Sequence, residues 1–208
     1  MIGITKGQLD LLAPNARADY LESFETADLV LAHHGINANA RRLSHFMAQV
    51  LHESAGLTLR VENMNYRAER LLQVWPSRFA DLAAAQPFAH NPDALADKVY
   101  GGRMGNIDPH DGAKYIGRGL LQITGRAAYR RIGARLDMPL EEEPALALSP
   151  AWALKIAAEV WDLAGCNPPA DADSLRRVTR AINGGQVGLA SRADWLAKTR
   201  HVWPTEGS

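Results

Sequence analysis

The segment Leu43–Leu51 constrains this chain more tightly than any other. Leu43, Phe46, Met47, Val50 and Leu51 recur at i, i+3, i+4, i+7 and i+8, the spacing that makes one face of an α-helix apolar. Asn39 stands before this run, where its side chain can take a free backbone N–H, and Gly56 follows it. The pattern therefore predicts a core-facing helix with a capped start and a glycine stop.

Helical signals continue along the chain. Asn15 is expected to cap a helix over 16–31, with Leu21, Phe24 and Leu31 on one side. Helical stretches at Ala68–Trp75 and Arg78–Ala85 are separated by Pro76, and Asn91-Pro92 supplies a cap and a helix-starting proline for Asp93–Tyr100. Gly101, Gly102, Gly105, Asp108-Pro109 and Asp111-Gly112 then mark a long loop. Thr124 is expected to cap a helix from Gly125 to Leu136, and Ser149-Pro150 to open another that Gly165 closes. Asp173–Ile182 and Val187–Val202 complete the set, joined through Asn183-Gly184-Gly185. No strand/helix series suits a parallel sheet. The expected fold is mainly α with at most a small β element. It is one domain over 1–208, with a larger helical lobe at about 1–66 and 113–208 and a smaller inserted lobe at about 67–112.

Charge and cysteine content exclude several classes. Lys+Arg and Asp+Glu are both 23, so the net charge is zero, which argues against a dedicated nucleic-acid binder. Six basic residues and no acid lie between Lys114 and Arg135, followed by four acids between Asp137 and Glu143; a face for an anionic polymer and a solvated helix face, the commoner case, both account for that asymmetry, which alone decides nothing. Cys166 is the only cysteine, so a disulfide scaffold is excluded, and a buried apolar role is expected of it. No apolar run approaches the roughly 20 residues of a membrane span, and Met1–Lys6 lacks the basic start and apolar stretch of a signal peptide.

Two carboxylates stand out. On a helical wheel Glu53 falls beside Phe46, at the border between core and solvent, where partial burial disfavours a charge as a general acid requires. Glu62 follows nine residues later, beyond Gly56. Such a pair facing across a cleft performs glycoside hydrolysis, with carboxyl groups about 6.5–9.5 Å apart for inversion and about 5–5.5 Å for retention. A surface glutamate at a helix end is the alternative for Glu53. The zinc motif HExxH fails because Gly56 stands at its second histidine, and the other histidines have no metal-ligand spacing. Neither a phosphate loop nor a GxSxG elbow occurs. Tyr115–Thr124 is unusual: its glycines permit close backbone approach to a ligand, and Gln122 and Thr124 sit among apolar residues. It also reads as an irregular strand ending in a cap. Asn183-Gly184-Gly185 likewise reads as a sugar contact or as a plain helix end.

His52-Glu53-Ser54-Ala55-Gly56, Val61–Tyr66, Trp75–Phe79, Tyr100–Asn106, Tyr115–Thr124 and Ile182–Gly185 occur in that order. The series resembles glycoside hydrolase family 19, and most of all its branch of bacteriophage endolysins and chitinase-like lysozymes, over about Arg41 to Trp195. The resemblance implies a lysozyme-like, two-lobed catalytic domain with a substrate cleft that inverts the anomeric carbon without metal or cofactor. It makes Glu53 the general acid, Glu62 the general base, and Thr124 the residue that helps position water. Tyr115, Arg118 and Gln122 match cleft residues around the sugar, Asn183 a sugar-binding asparagine, and Arg192 an arginine near the base. Ala128 departs from the pattern, standing where an asparagine often precedes the tyrosine.

These correspondences lead to a peptidoglycan-degrading endolysin whose partner is the glycan strand, with no nucleic acid and no stable membrane insertion; a monomer is expected because nothing in the sequence marks an interface. It is expected to wait in the host cytoplasm until a holin opens the membrane, then to act in the periplasm. Chitin hydrolysis is the alternative, because both polymers contain β-1,4-linked N-acetylglucosamine. Lytic transglycosylation, which needs one acid only, and a catalytically dead wall-binding module are the remaining readings.

Overall fold

The run with the strongest helical period forms α4 (Ala40–Glu53) in the computed structural model, which describes Met1–Thr205. Asn39 caps it, its side chain accepting the Arg42 N–H at 2.9 Å. Periodicity predicts one buried face, yet every residue from Leu43 to Leu51 is buried. Ser44, His45 and Gln49 are thereby taken inside, and buried polar groups need partners. Ser44 donates to the Trp203 carbonyl, His45 meets Asp173, and Gln49 accepts from Arg192. All three partners come from the C-terminal part of the chain.

The chain divides into two compact units, and α4 belongs to the one formed by Met1–Arg60, Gly119–Gln122 and the chain from Ala145 onward. Its other helices are α1 (Lys6–Leu12), α2 (Ala18–Ser23), α3 (Ala27–His33), α10 (Pro150–Leu163), α11 (Asn167–Asp171), α12 (Leu175–Asn183) and α13 (Leu189–Val202). A capping box between Thr5 and Gln8 starts α1, an element the periodicity does not reveal. In place of one helix over 16–31 there are two, and Arg17 rather than Asn15 is the first cap. Ser23 Oγ donates to the Tyr20 carbonyl at 2.7 Å, a local bond that competes with the helical ladder where the helix breaks. The core centres on Phe46 and Trp161, whose rings meet edge-on at 5.5 Å. Leu120 and Leu121 join this core from the short 119–122 segment. Gly119 makes that entry possible, since at φ +78° a Cβ would lie 2.9 Å from the Ala147 carbonyl oxygen.

His45 is fully buried in this unit, and its Nε2 lies 2.8 Å from Asp173 Oδ1, which Arg200 also contacts. Burial lowers the His45 pKa, and the bond to Asp173 offsets that only partly. The unfolded chain therefore takes up a proton below about pH 6.5 that the folded chain refuses, and stability falls as pH drops through that range. Thermal melts from pH 7 to 5 are expected to show this decline, and His45→Gln to flatten it.

The second unit comprises Val61–Arg118 and Ile123–Pro144. It holds α5 (Ala68–Val74), α6 (Leu82–Ala85), α7 (Pro92–Tyr100), α8 (Asp111–Lys114) and α9 (Arg126–Leu136) around Met64, Leu71, Phe79, Leu95 and Val99. Asn91 and Pro92 start α7 as expected, whereas Asp81 caps α6 and confines the helix expected at 78–85 to its last turn. Two isolated β-bridges, Val61 with Arg118 and Arg118 with Ile123, are the only β pairing among the described residues.

This unit is larger than the insertion expected at 67–112, because α9 belongs to it. Arg126, the first residue of α9, reaches Asp108, Asp111 and Glu141. Thr124 does not cap α9. The N-cap is Gly125, and the buried Asn106 accepts the Arg126 N–H at 2.8 Å while donating to the Tyr100 carbonyl at 3.0 Å. A distant loop residue thus performs the capping that local sequence assigns to Thr124. Asn106→Ala leaves both backbone groups unsatisfied and is expected to cost about 2 kcal/mol, measured by denaturant unfolding.

Candidate active site

In the first unit, Glu53 is the last residue of α4, and its side chain is 20% exposed. Its Oε1 accepts from Arg192 Nη2 at 2.5 Å. Arg192 extends from α13 and is almost wholly buried, with Nη1 donating to the Oε1 of fully buried Gln49. Gln49 and Glu53 lie one helical turn apart on α4, so a single guanidinium spans both. The arginine matched to the neighbourhood of the base is in fact the partner of Glu53. With 1% of its surface exposed it positions a carboxylate and offers no face to a sugar.

His52 closes this cluster from the other side. Its Nδ1 lies 3.0 Å from Ser191 Oγ, and its ring packs on Gly188, the N-cap of α13. A Cβ on Gly188 would come 2.7 Å from His52 Nε2, and φ is +74°, so glycine is required where α13 begins against α4. Burial and the neighbouring Arg192 charge both push the His52 pKa down. The ring is therefore neutral at pH 7 and places no second cation beside Arg192.

Also in this unit, Gln122 adopts φ +49° and donates from Nε2 to the Gly119 carbonyl at 2.8 Å. Asn183 ends α12 and is exposed, its side chain only 3.5 Å from the Val187 carbonyl.

In the second unit, both oxygens of Glu62 are engaged by neutral donors. Gly117 N–H reaches Oε1 at 2.5 Å, and the Tyr100 hydroxyl donates to Oε2 at 2.7 Å. The Glu62 N–H in turn donates to the Gly117 carbonyl at 3.0 Å, so the backbone of this residue is fixed as well as its side chain. Burial and the adjacent Glu62 charge raise the Tyr100 pKa far above its ordinary value, and the phenol stays a donor. Such an arrangement suits an ionised carboxylate that accepts a proton.

The neighbours of Glu62 are less available than the resemblance implies. Tyr115 is 1% exposed, packs with its ring tilted against Tyr129, and donates to the Glu141 carbonyl at 3.0 Å. It is a core residue, not a sugar contact. Arg118 Nη1 donates to the carbonyls of Lys114 and Ile116 and to the Tyr129 hydroxyl, bracing the loop that presents Gly117. Thr124 is half-buried beside Gly125. Sequence reasoning missed Gln49 and Tyr100 as site residues. Gln49 was hidden among the apolar positions of α4, although a glutamine between Phe46 and Leu51 is itself a signal. Cys166 is buried as expected, its thiol pushed up to about 12 by burial, and is no nucleophile.

A helical protein with one glutamate on a buried arginine and another on a backbone amide and a phenol has the parts of a carboxylate-dependent hydrolase. Comparison with known proteins sharpens that class. No protein-family model matches the sequence. A glycosyl hydrolase family 19 domain-containing protein of Haemophilus influenzae is 36% identical over 156 residues, which cover 74% of this chain and 76% of the relative. The chain belongs to glycoside hydrolase family 19. A bacterial family 19 chitinase shares the fold with TM-score 0.66 at 21% identity, covering 98% of this chain and 96% of that one. Chitinase C of Streptomyces griseus gives 0.65 at 20% identity, over 97% and 93%. A class IV chitinase of Zea mays gives 0.59 at 17% identity, over 98% and 92%. The protein is a glycoside hydrolase with a mainly helical, chitinase- and lysozyme-like fold.

Proposed function

We propose that this hydrolase cuts the β-1,4 glycan of peptidoglycan with inversion, as an endolysin does, and that Glu53 and Glu62 are its acid and base. The observation that supports the pair most directly is their contrasting surroundings. Glu62 has neutral donors on both oxygens, which orient a carboxylate without cancelling its charge, so it can take a proton from water. Glu53 has the Arg192 cation, which stabilises the carboxylate that remains once a proton has passed to the glycosidic oxygen. In this scheme the C–O bond breaks as water adds to the anomeric carbon; the leaving oxygen takes the proton of Glu53, and Glu62 takes one from the water. Thr124 helps hold that water, and Gln122 and Asn183 meet the sugars. Arg118 and Tyr115 support the loop beneath Glu62. We place the protein in a phage lysis programme, held in the host cytoplasm until release and acting alone on the wall, on the support of the motif resemblance.

Chitin hydrolysis is the second reading, and the likeness to solved chitinases favours it. One digestion separates the two. Purified Gram-negative peptidoglycan is treated with the protein, the products are reduced with borohydride, and new ends are identified by mass spectrometry. Reduced N-acetylmuramic acid ends are expected and establish a muramidase. Reduced N-acetylglucosamine ends move the cut to the other bond, and anhydro ends replace hydrolysis by transglycosylation. No new ends, with turnover of chitin oligomers, leave chitin as the substrate.

A further inference from the structure

Helix α12 exposes Arg176, Arg177 and Arg180, while Val178 and Thr179 are buried beneath them. At 3.6 residues per turn, Arg176, Arg180 and Asn183 fall at i, i+4 and i+7 in one row on the outer side, with Arg177 flanking it. The helix contains no acid. None of the three guanidinium groups has a hydrogen-bond or ion-pair partner among the described residues. Arg42, Arg60, Arg192 and Arg200 of the same unit each rest on a carboxylate. In a chain whose 23 cationic and 23 anionic residues balance, this is a local concentration of charge, not a bulk excess.

Its position gives the row a direction. From Arg176 to Asn183 is roughly 10 Å along the helix axis at 1.5 Å per residue. Beyond Asn183 the short 184–187 loop leads to Gly188, which packs on His52, the neighbour of Glu53 in sequence. The other end of α12 follows Asp173, which meets His45 two turns before Glu53 on α4, so the row of arginines runs back alongside α4 from the end that holds the acid.

We infer that Arg176, Arg177 and Arg180 bind the carboxylates of the peptide stems that peptidoglycan bears on its muramic acid residues. A planar guanidinium fork matches a carboxylate with two parallel hydrogen bonds. An uncharged N-acetylglucosamine polymer offers these groups nothing equivalent, so this face selects stem-bearing glycan over chitin. The inference rests on the peptidoglycan reading and adds to it the feature of the substrate that is recognised.

The test compares wild type with the Arg176→Gln/Arg177→Gln/Arg180→Gln variant on soluble glycan strands whose stem carboxylates are free or converted to methyl esters. The positions are exposed, so the variant is expected to melt with the wild type. On strands with free carboxylates at low salt its kcat/KM is expected to fall on the order of tenfold, as three exposed ion pairs of modest strength would give. On esterified strands the two proteins are expected to agree within about twofold, and 0.5 M salt is expected to shrink the difference on strands with free carboxylates. Equal loss on both substrates, or no loss on either, overturns the inference while leaving the peptidoglycan reading intact. Wild type that cuts chitin oligomers but neither form of the strand overturns both.

Discussion

Glu53→Gln is expected to lower hydrolysis on the order of 10³-fold, because the amide has no proton to give the glycosidic oxygen. The variant keeps an oxygen that can accept from Arg192 Nη2, so the geometry of α4 and α13 survives. Charge does not: Arg192 is nearly fully buried, and Glu53 is its only ion-pair partner among the described residues. A buried guanidinium left without its counter-ion costs roughly 3 kcal/mol, and a melting temperature several degrees lower is the accompanying signature. Rates on a defined oligosaccharide, taken well below that melting point, separate the two effects. A folded variant that keeps a tenth of the wild-type rate removes Glu53 from the chemistry.

Glu62→Ala is expected to lose about 10²- to 10³-fold, with a different diagnosis. Removing this carboxylate deletes the acceptor for the water proton and opens space beside Gly117 and Tyr100. Azide is small, already anionic and needs no base, so it is expected to restore turnover in Glu62→Ala and not in Glu53→Gln. An inverting reaction on a β-linked substrate then yields the α-glycosyl azide, which NMR distinguishes from the β product. Absence of rescue, or a β azide, rejects Glu62 as the base of an inverting reaction. Tyr100→Phe removes one of the two donors to Glu62 and leaves the other. Its expected effect is a kcat lowered within about tenfold at unchanged KM.

Much of this site was legible because its signals are local. The period of Leu43–Leu51, the Asn39 cap and Gly56 placed Glu53 at a helix end beside the core, where it stands. The Asn91-Pro92 pair defined α7, and through it the position of Tyr100. Arg192 and Tyr115 were legible only as correspondences with a family pattern. Their surroundings make them supports, a buried guanidinium on Glu53 and a buried phenol on the Glu141 carbonyl, while the cap that local sequence gives to Thr124 comes from Asn106.

The sequence by itself determined the helical class, the start and end of α4, and the two glutamates worth testing. Each depends on residues within about ten positions of one another, the range over which helical period and capping act. The tertiary structure decided which groups those glutamates meet. Gln49 and Arg192 are 143 residues apart, Glu53 and Arg192 139, and Glu62 and Gly117 55. It also decided that α9 joins the second unit, through Asn106 and the carboxylates around Arg126. Burial removes water from polar groups and makes each find a partner wherever the chain brings one, so the pairing follows the packing and not the order of residues.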